Sequence, residues 1–445
     1  MSTVEHMVPS VNVRYLFFYN LPEDYNKGYT MRVLREGFNA TAKAIPLLSA
    51  EILFDTGSPQ IGKRKIQPGT ATYLSEADYR RNAASPFPWT YDELKQKGFP
   101  TEPLTEELFV PPFALIPDLT RPQPVFGVQA NFLEGGLCLG FSFSHGKFDA
   151  RALYEIMKVW SQNCRDIQAA LPPSIVSVDP TVFDNEIMTR GHADGRKVTS
   201  HPHYMVTETP SIPAGFLRQN FRTRVYYFSP EKLAQLKSDA TPQNSWVSTN
   251  DALSALIWSS VVATQVDRSN LARPSYNTIC VDGRLRASPP LPLNHIGSTM
   301  MMVTPNVPLE TVLARDLRAV ALVIRQTLAG VDGAYVDDLV AFHNSMPDYN
   351  CVRPPSLDGF MDDSIFMTTW QTIPFFEVGW GAFMGEGLEA IRTLRQGYFN
   401  GAVMTVPTAG DNGVEVIVGM EEKYLEPFDR DEVWAKYAVN MEKRG

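Results

Sequence analysis

The sequence predicts an α/β fold with a bias towards antiparallel strands, and three observations support this prediction. Two segments, QPVFGVQANFLEGGLCLGFSFS and AVMTVPTAGDNGVEVIVGM, favour β-hairpins because alternating apolar residues flank turn-forming ones. Helical patterns follow the strands, but clean strand–helix–strand units do not recur. The third observation is a long aperiodic stretch rich in Pro, Gly, Asp and Thr, and a loop of this kind usually links two units. We therefore expect a domain at 1–175, a crossover linker at 176–220 and a second domain at 221–445.

The first domain opens with a strand, VRYLFFYNL, followed by YTMRVLREGFNATAKAIPLLSAEIL, which predicts a helix running towards a strand. The first hairpin then turns at Glu134-Gly135-Gly136. Apolar residues within 150–167 recur at spacings of three and four, which indicates an amphipathic helix. Asp149 precedes this helix at the N-cap position.

The second domain begins with the strand TRVYYF and a helix over SPEKLAQLK, in which Ser229 is the N-cap and Pro230 the first helical residue. SWVSTNDALSALIWSSVVA predicts another helix with an entry rich in Ser, Thr and Asn. The second hairpin turns at Gly-Asp-Asn-Gly. A short helix over DRDEVWAKYAVNM is expected to close the chain.

Composition narrows the classes of partner. The 445-residue chain has a formal net charge of -9, which argues against nucleic acid because phosphate binding requires a basic face. Its four scattered cysteines favour a reducing compartment without a disulfide framework. The N-terminus shows no signal-peptide pattern, and no apolar run approaches the roughly 20 residues needed to span a bilayer. A cytoplasmic location without a membrane partner is therefore expected.

The segment LCLGFSFSHGKFD contains the first candidate site residues. Its strand has large apolar residues on one face and small ones on the other, which leaves room for a neighbouring backbone or a ligand. His145 ends this strand beside a helix N-terminus, where a histidine can exchange a proton with a hydroxyl. A hydrogen-bonded histidine with a capping Asp149 explains the same pattern. A shared metal ion is disfavoured because the helix begins only at Asp149.

Other catalytic patterns are weaker. His192, His201 and His203 lie in the predicted linker without a carboxylate or thiol at ligand spacing, so a solvated loop is favoured. GFSFS lacks the last glycine of G-x-S-x-G and lies inside a strand. No Walker-type or G-x-G-x-x-G phosphate loop is present.

Two further segments carry polar groups. VDGRLRASPPLPLNHIGS contains Arg284 and Arg286, which fit a solvated loop, whereas a buried arginine would need a carboxylate partner. MTTWQTIPFFEVGWG brings together Thr368, Thr369 and Trp370, whose hydroxyls and indole N–H are donors suited to an oxyanion. An ordinary strand with a buried tryptophan accounts equally for this second segment.

The order of these pieces is more specific than any one of them. This chain resembles the BAHD acyltransferases from about Val125 to its C-terminus, because five segments occur in the order found in that family. They are HGKFD, STNDALSALIW, VDGRLRASPPLP, TTWQTIPFFEVGWG and GVEVIVGMEEKYLEPF. It is also similar to their fungal relatives, such as the trichothecene O-acetyltransferases, because EVGWG replaces the DFGWG of plant members. The resemblance implies two similar-sized domains of the CoA-dependent acyltransferase type, with mixed sheets, flanking helices and a tunnel between the domains. A monomer is the family-like expectation.

The resemblance also implies roles for individual residues. His145 would be the general base, and Thr368 and Trp370 would lie near the tetrahedral oxyanion. Asp149 would be structural and pair with Arg284. Four residues near the C-terminus would support the fold: Glu377, Gly379, Trp380 and Gly381. At a helix entry, Ser248 and Thr249 would contact a phosphate of CoA.

Two positions depart from the family pattern. Ala150 stands where a glycine is usual, and Glu377 replaces an aspartate. Either change could shift the histidine, and shifts near 1 Å can cost around a hundredfold in rate.

The expected function is acyl transfer, with acetyl-CoA as the co-substrate and a hydroxyl or amine of a small secondary metabolite as acceptor. No metal and no permanently bound cofactor are implied. The alternatives are a hydrolase or cyclase that reuses the same tunnel, and a relative that binds a ligand without catalysis.

Overall fold

Two mixed β-sheets with helices packed on them organise the chain. The computed structural model describes residues 1–80, 85–171, 178–210, 220–359, 363–397 and 401–443. The strands are β1 (Asn12–Asn20), β2 (Glu51–Phe54), β3 (Arg64–Gln67), β4 (Tyr73–Asp78), β5 (Gln123–Pro124), β6 (Phe126–Leu133), β7 (Gly136–Ser144), β8 (Met205–Val206), β9 (Phe221–Phe228), β10 (Pro274–Asp282), β11 (Met300–Val303), β12 (Asn306–Pro308), β13 (Val352–Arg353), β14 (Ser364–Thr369), β15 (Leu388–Arg392), β16 (Ala402–Pro407), β17 (Val414–Glu421) and β18 (Val439–Asn440).

The helices cover the faces of these sheets. They are α1 (Thr3–Met7), α2 (Lys27–Ala44), α3 (Tyr91–Gln96), α4 (Glu106–Phe109), α5 (Ala150–Gln168), α6 (Ile187–Arg190), α7 (Pro230–Ala240), α8 (Thr249–Gln265), α9 (Leu309–Leu313), α10 (Leu317–Ala329), α11 (Gly333–Asn344), α12 (Ser356–Gly359), α13 (Glu422–Asp429) and α14 (Glu432–Ala435).

The first sheet has the order β15-β1-β7-β6-β4, and its only parallel pair in the described residues is β4 with β6. Its edge strand β15 comes from the segment that sequence analysis assigned to the second domain. Composition predicts where a linker lies, but it does not reveal a strand that returns to the sheet of the other domain. Parts of the predicted linker, 176–177 and 211–219, lie outside the described residues.

The small-residue face of β7 is explained by a backbone that packs against it. A Cβ on Gly140 would lie 1.8 Å from the carbonyl oxygen of Phe109, so no larger residue fits there. Asn131 on the neighbouring strand donates to that same carbonyl at 2.9 Å. Of the two predicted occupants of this space, the structure contains the neighbouring backbone.

Helix α5 continues directly from the end of β7. As predicted, Asp149 is its N-cap and accepts from the backbone N–H of Ala152 at 2.9 Å. The apolar stripe packs on α2, where the Trp160 indole donates to Leu34 O at 2.9 Å. The helix therefore fixes the loop 145–149 against the first sheet.

The second sheet has the order β11-β10-β14-β16-β17-β9-β18, with β12 also paired to β10. Strands β10 and β14 are parallel, with Ile279 opposite Met367. Because parallel strands end at the same edge of a sheet, Arg284 after β10 and Trp370 after β14 lie on one side of it. That side faces the end of β7.

The C-terminal end differs from the expected closing helix. Helix α13 ends at Asp429, α14 covers only Glu432–Ala435, and Val439–Asn440 pairs with β9. The prediction over 429–441 was therefore wrong in extent. Asp431 caps a new helix, α14, by accepting from Trp434 N at 2.7 Å. The last segment then pairs with the edge of β9 as a strand.

In the described part of the chain, no single helix has both the length and the apolar character needed to cross a membrane. The pair formed by Leu317–Ala329 and Gly333–Asn344 meets those two criteria together, with a bend of 78° at its junction. Apolar residues of both helices, among them Ile324 and Leu339, are buried in hydrophobic clusters of the protein.

Candidate active site

A largely apolar cavity of about 220 Å³ lies where the two sheets face each other, and we call it the central cavity. Six of the sequence-predicted polar residues line it: His145, Asp149, Arg284, Thr368, Thr369 and Trp370. Apolar parts of its wall come from β1 and the residue before it, from β11 and from β16, and include Val11, Val13, Tyr15, Met300, Met302 and Met404. The structure thus brings together groups that are more than 200 positions apart in the sequence.

His145 is the first residue of the loop between β7 and α5, and contacts with backbone groups hold it there. Its N–H donates to Val11 O at 2.9 Å, and its Nδ1 lies 3.5 Å from Phe148 O. Burial lowers the pKa of the imidazole below its ordinary value of 6.5, so the ring is neutral at neutral pH. A proton on Nδ1 is oriented by the Phe148 carbonyl, which leaves the Nε2 lone pair available as a base.

Asp149 is not available as a base because both of its carboxylate oxygens accept hydrogen bonds. Arg284 donates to it through Nη1 at 2.8 Å and Nη2 at 2.9 Å, so the predicted pair exists. The backbone N–H groups of Thr299 and Ala152 each donate to it at 2.9 Å. Burial acts to raise the pKa of Asp149, but Arg284 and these donors hold it below its ordinary value, so the carboxylate stays ionised.

Arg284 is fully buried and has partners on several sides. It also donates to Asp282 Oδ1 at 3.0 Å, to His295 O at 2.9 Å and to Gly297 O at 2.8 Å. Burial acts to lower the pKa of Arg284, but Asp149 and Asp282 raise it, so the guanidinium stays charged. The residue therefore connects α5 of the first sheet to the end of β10 and the 295–299 loop. Arg286, the second arginine of this segment, donates to Val331 O at 2.7 Å outside the cavity.

Thr368 and Trp370 lie on the cavity wall at the end of β14. Burial raises the pKa of the neighbouring Cys280 thiol to about 12, although a hydrogen bond with Thr368 opposes this effect. Cys280 is therefore a neutral thiol and a poor nucleophile. The Trp370 ring packs on Tyr15 with centroids 4.5 Å apart. The Thr369 hydroxyl accepts from Thr405 Oγ1 at 2.9 Å.

The Glu377–Gly381 segment lies on the other end of α5, away from the central cavity. The buried Trp380 ring packs edge-on against Trp160 at 5.0 Å and Tyr19 at 6.0 Å. Glu377 itself is exposed to solvent. This arrangement agrees with a structural role for the segment.

Two backbone carbonyls of this segment accept hydrogen bonds from side chains of α5. Arg165 donates to Gly379 O, and Gln168 Nε2 donates to Trp380 O at 2.9 Å. Gly381 has φ +94°, and a Cβ there would lie 2.5 Å from Gln168 Nε2. The positive φ therefore favours a glycine at 381, and a larger residue would also displace the end of the Gln168 side chain.

Ser248 and Thr249 do not line the central cavity. Ser248 caps α8, accepts from Asp251 N at 3.1 Å and also accepts from Arg325 Nη2 at 3.2 Å. Asn250 accepts from Gln371 at 3.4 Å, so this helix entry adjoins the segment that carries Trp370.

The histidines of the predicted linker do not form a solvated loop, so that prediction needs correction. His201 is 7% exposed and packs on Tyr204 and Tyr335, because the segment folds over α11 and buries its aromatic rings. His203 Nδ1 accepts from Thr304 N at 3.2 Å, and His192 Nε2 lies 2.6 Å from Asp338. No cluster of His, Cys, Asp and Glu suited to a metal ion occurs in the described ranges.

Sequence reasoning missed a buried ion pair beside the histidine. Lys147 Nζ lies 2.5 Å from Glu5 Oε1, and both side chains are almost fully buried. A lysine inside an otherwise apolar strand–helix connection was the available signal, but nothing in the spacing identifies its partner. The apolar cavity wall was also missed, although the alternation of Val13 and Tyr15 in β1, continued by Val11 just before that strand, could have indicated a shared face.

Comparisons with known proteins show which family this chain matches. The Transferase family matches residues 93–433, and the trichothecene 3-O-acetyltransferase-like N-terminal domain matches residues 11–164. The enoyl-CoA isomerase/hydratase claC of Penicillium crustosum is 22% identical over 99% of this chain, which spans only 51% of the length of claC. The eremophilane O-acetyltransferase prx11 of Penicillium rubens is 24% identical over 99% of this chain and 98% of its own.

Solved structures share the fold. The crystal structure of F. sporotrichioides TRI101 complexed with coenzyme A and T-2 has a TM-score of 0.79 and 22% identity, and covers 99% of each chain. The predicted two-domain α/β fold with mixed sheets is thereby confirmed.

Proposed function

This chain belongs to the Transferase family and is a BAHD acyltransferase of the fungal type, and from that premise we propose an acyl-CoA-dependent O-acetyltransferase that modifies a small secondary metabolite. The observation that carries the proposal is a neutral histidine on the wall of a buried apolar cavity, with one ring nitrogen oriented by a backbone carbonyl. Relatives named as O-acetyltransferases support the acetyl group and the hydroxyl acceptor.

In the proposed reaction, His145 Nε2 removes the proton of the acceptor hydroxyl. The oxygen then attacks the thioester carbonyl of acetyl-CoA and forms a tetrahedral intermediate. His145 returns the proton to the departing CoA sulfur, so the base is regenerated and no acyl-enzyme is required. Because burial lowers the pKa of His145, the base form persists below pH 6.5, and the acidic limb of kcat/KM should lie below that value.

The negative charge of the intermediate needs donors nearby. The Thr368 hydroxyl and the Trp370 indole N–H belong to cavity-lining residues, and we assign them this role. Losing one such donor typically costs about a hundredfold to a thousandfold in kcat.

The cavity wall favours an uncharged acceptor. Among the described residues that line it, three of the charged side chains, Asp149, Asp282 and Arg284, form one ion-pair network. The fourth, Arg151, donates to Thr372 O at 3.2 Å and stacks on a tyrosine ring. A protonated amine would therefore enter without a counter-charge, at a desolvation cost that an alcohol does not incur. We propose an alcohol on a mainly hydrocarbon skeleton.

The entry to α8 is the proposed contact for a CoA phosphate. Ser248 and Thr249 lie at a helix N-terminus, where backbone N–H groups favour anions. Arg325 lies at the same entry, where it is paired with Asp251 at 2.7 Å and stacks on the exposed Trp246. If a CoA phosphate shares this arginine, Arg325→Gln should raise KM for acetyl-CoA more than it lowers kcat.

A thiol-release assay with acetyl-CoA tests the function. The panel pairs each apolar alcohol with the amine of the same skeleton, and a no-acceptor reaction measures hydrolysis. Acceptor-dependent release with the alcohols supports the proposal, whereas acceptor-independent release supports the hydrolase alternative. His145→Ala should remove transfer, and full transfer by that variant would contradict the mechanism.

A further inference from the structure

The N-terminal segment passes directly beneath the turn that carries His145. Besides the Val11 contact with the His145 backbone, a Cβ on Gly146 would lie 3.0 Å from Glu5 O and 2.7 Å from Arg64 Nη1. Arg64 in turn donates to Glu5 O at 2.8 Å and to Val8 O at 3.1 Å. The turn therefore packs on α1 and the residues after it without space between them.

Within this contact, Lys147 forms a buried ion pair with Glu5. Their atoms are 2.5 Å apart, and the side chains are 4% and 0% exposed. The other carboxylate oxygen of Glu5 accepts from Ser2 N at 2.7 Å as part of the α1 capping box. Lys147 is two residues after His145, and it is absent from the described residues that line the central cavity. Its ammonium group is directed to Glu5.

The same ion pair adjoins the loop that Arg284 binds. A Cβ on Gly297 would lie 3.1 Å from Glu5 Oε1 and 2.9 Å from His295 Nε2, so this glycine allows α1 and the loop to meet. The Gly297 and His295 carbonyls are the ones that accept from Arg284. The loop 145–149 is thus held at Lys147 and at Asp149, by two ion pairs that converge on residues 295–297.

We propose that Lys147 and Glu5 are a positioning pair for the acyl-transfer base, and this inference rests on the proposed function of His145. Among the described residues, the hydrogen-bond partners of His145 are the Val11 and Phe148 carbonyls, so the position of the turn determines where Nε2 lies. A buried ion pair with hydrogen-bonding geometry fixes that turn more tightly than apolar packing does. Displacements near 1 Å cost around a hundredfold in rate.

The test compares Lys147→Met, Glu5→Asp and the double variant Glu5→Met/Lys147→Met with the wild type. Either single change should lower kcat about tenfold to a hundredfold while KM for acetyl-CoA and the alcohol stays within about twofold. Glu5→Asp retains the charge and is expected to fold, so it reports the effect of a shortened pair alone. Lys158→Met is the matched control, because it removes a half-exposed ion pair from α5 and should leave kcat unchanged.

The double variant separates positioning from stability. Replacing both charges by apolar side chains removes the unpaired buried charge, so its melting temperature should recover towards that of the wild type. Its kcat should remain low if the pair positions the base. A double variant that regains both stability and kcat would overturn the proposal, as would wild-type kcat in Glu5→Asp. A wild type that transfers to no alcohol would instead refute the proposed function.

Discussion

Replacing Asp149 by asparagine should damage the fold before it damages the chemistry. The carboxylate accepts four hydrogen bonds of 2.8 to 2.9 Å, two of them from Arg284. An asparagine keeps one acceptor, but its amide nitrogen must then face the guanidinium or the N–H of Thr299, donor against donor. Breaking a buried pair in this way costs about 3–5 kcal/mol. The helix cap itself is retained, because Asn caps as well as Asp.

That loss is large against a typical unfolding free energy of about 5–15 kcal/mol. Urea unfolding followed by tryptophan fluorescence should therefore show an earlier transition for Asp149→Asn. Asp332→Asn is the matched control, because Asp332 is an exposed N-cap that accepts from Tyr335 N at 3.0 Å and has no arginine in its cap. Its unfolding free energy should change by less than about 0.5 kcal/mol.

The pH dependence supplies a second check. Against the upward effect of burial, Arg284 holds the pKa of Asp149 below its ordinary value of 3.8. The stabilisation is therefore fully present above about pH 4 and is lost as the pH falls below it. Asp149→Asn should lack this acid-dependent part. A variant with wild-type unfolding but no activity at any pH would contradict the stabilising role given to Asp149.

Three further predictions follow from the packing and the proposed site. Trp380→Ala removes a ring packed on Trp160, so it should lower the unfolding free energy by about 3–5 kcal/mol, and a change below 1 kcal/mol would contradict the role given to this segment. Burial lowers the pKa of His201 to about 4 and that of His343 to about 3, so stability should fall as the pH drops below 6.5, by up to about 1.4 kcal/mol per pH unit for each. Calorimetry at pH 7 and pH 5 measures this, and His343→Phe should flatten the dependence. Met302→Glu should place an anion in the central cavity, lower transfer to alcohols and improve the amine-to-alcohol ratio, whereas Met302→Gln should leave that ratio unchanged.

The sequence predicted those elements whose signals are local. The alternation in β7, the apolar stripe of α5 and the cap at Asp149 are each determined by neighbours within a few residues, and all three are present. The pairing of Asp149 with Arg284 spans 135 positions and became predictable only through the ordered motifs of a family.

Features decided by packing could not be predicted in the same way. His201 lies in a stretch whose composition is typical of a loop, yet Tyr204 and Tyr335 bury its ring. Lys147 and Glu5 are 142 positions apart, and the sequence alone does not distinguish Glu5 from any other acidic residue as the partner of Lys147. The strand at Val439–Asn440 forms because the edge of β9 is free to pair, which is a property of the sheet and not of that segment.

The contacts of His145 explain why activity should depend on residues that never touch a substrate. Its ring is oriented by one long contact to Phe148 O, and its backbone by Val11 O. The strong interactions belong to Lys147 and Asp149 on the same loop, and both lead to the 295–299 segment. Substitutions in that segment should therefore alter kcat without altering acceptor binding, whereas substitutions in the apolar wall should do the reverse. Measuring kcat and the KM for the acceptor in each class of variant distinguishes effects on the position of His145 from effects on the shape of the cavity.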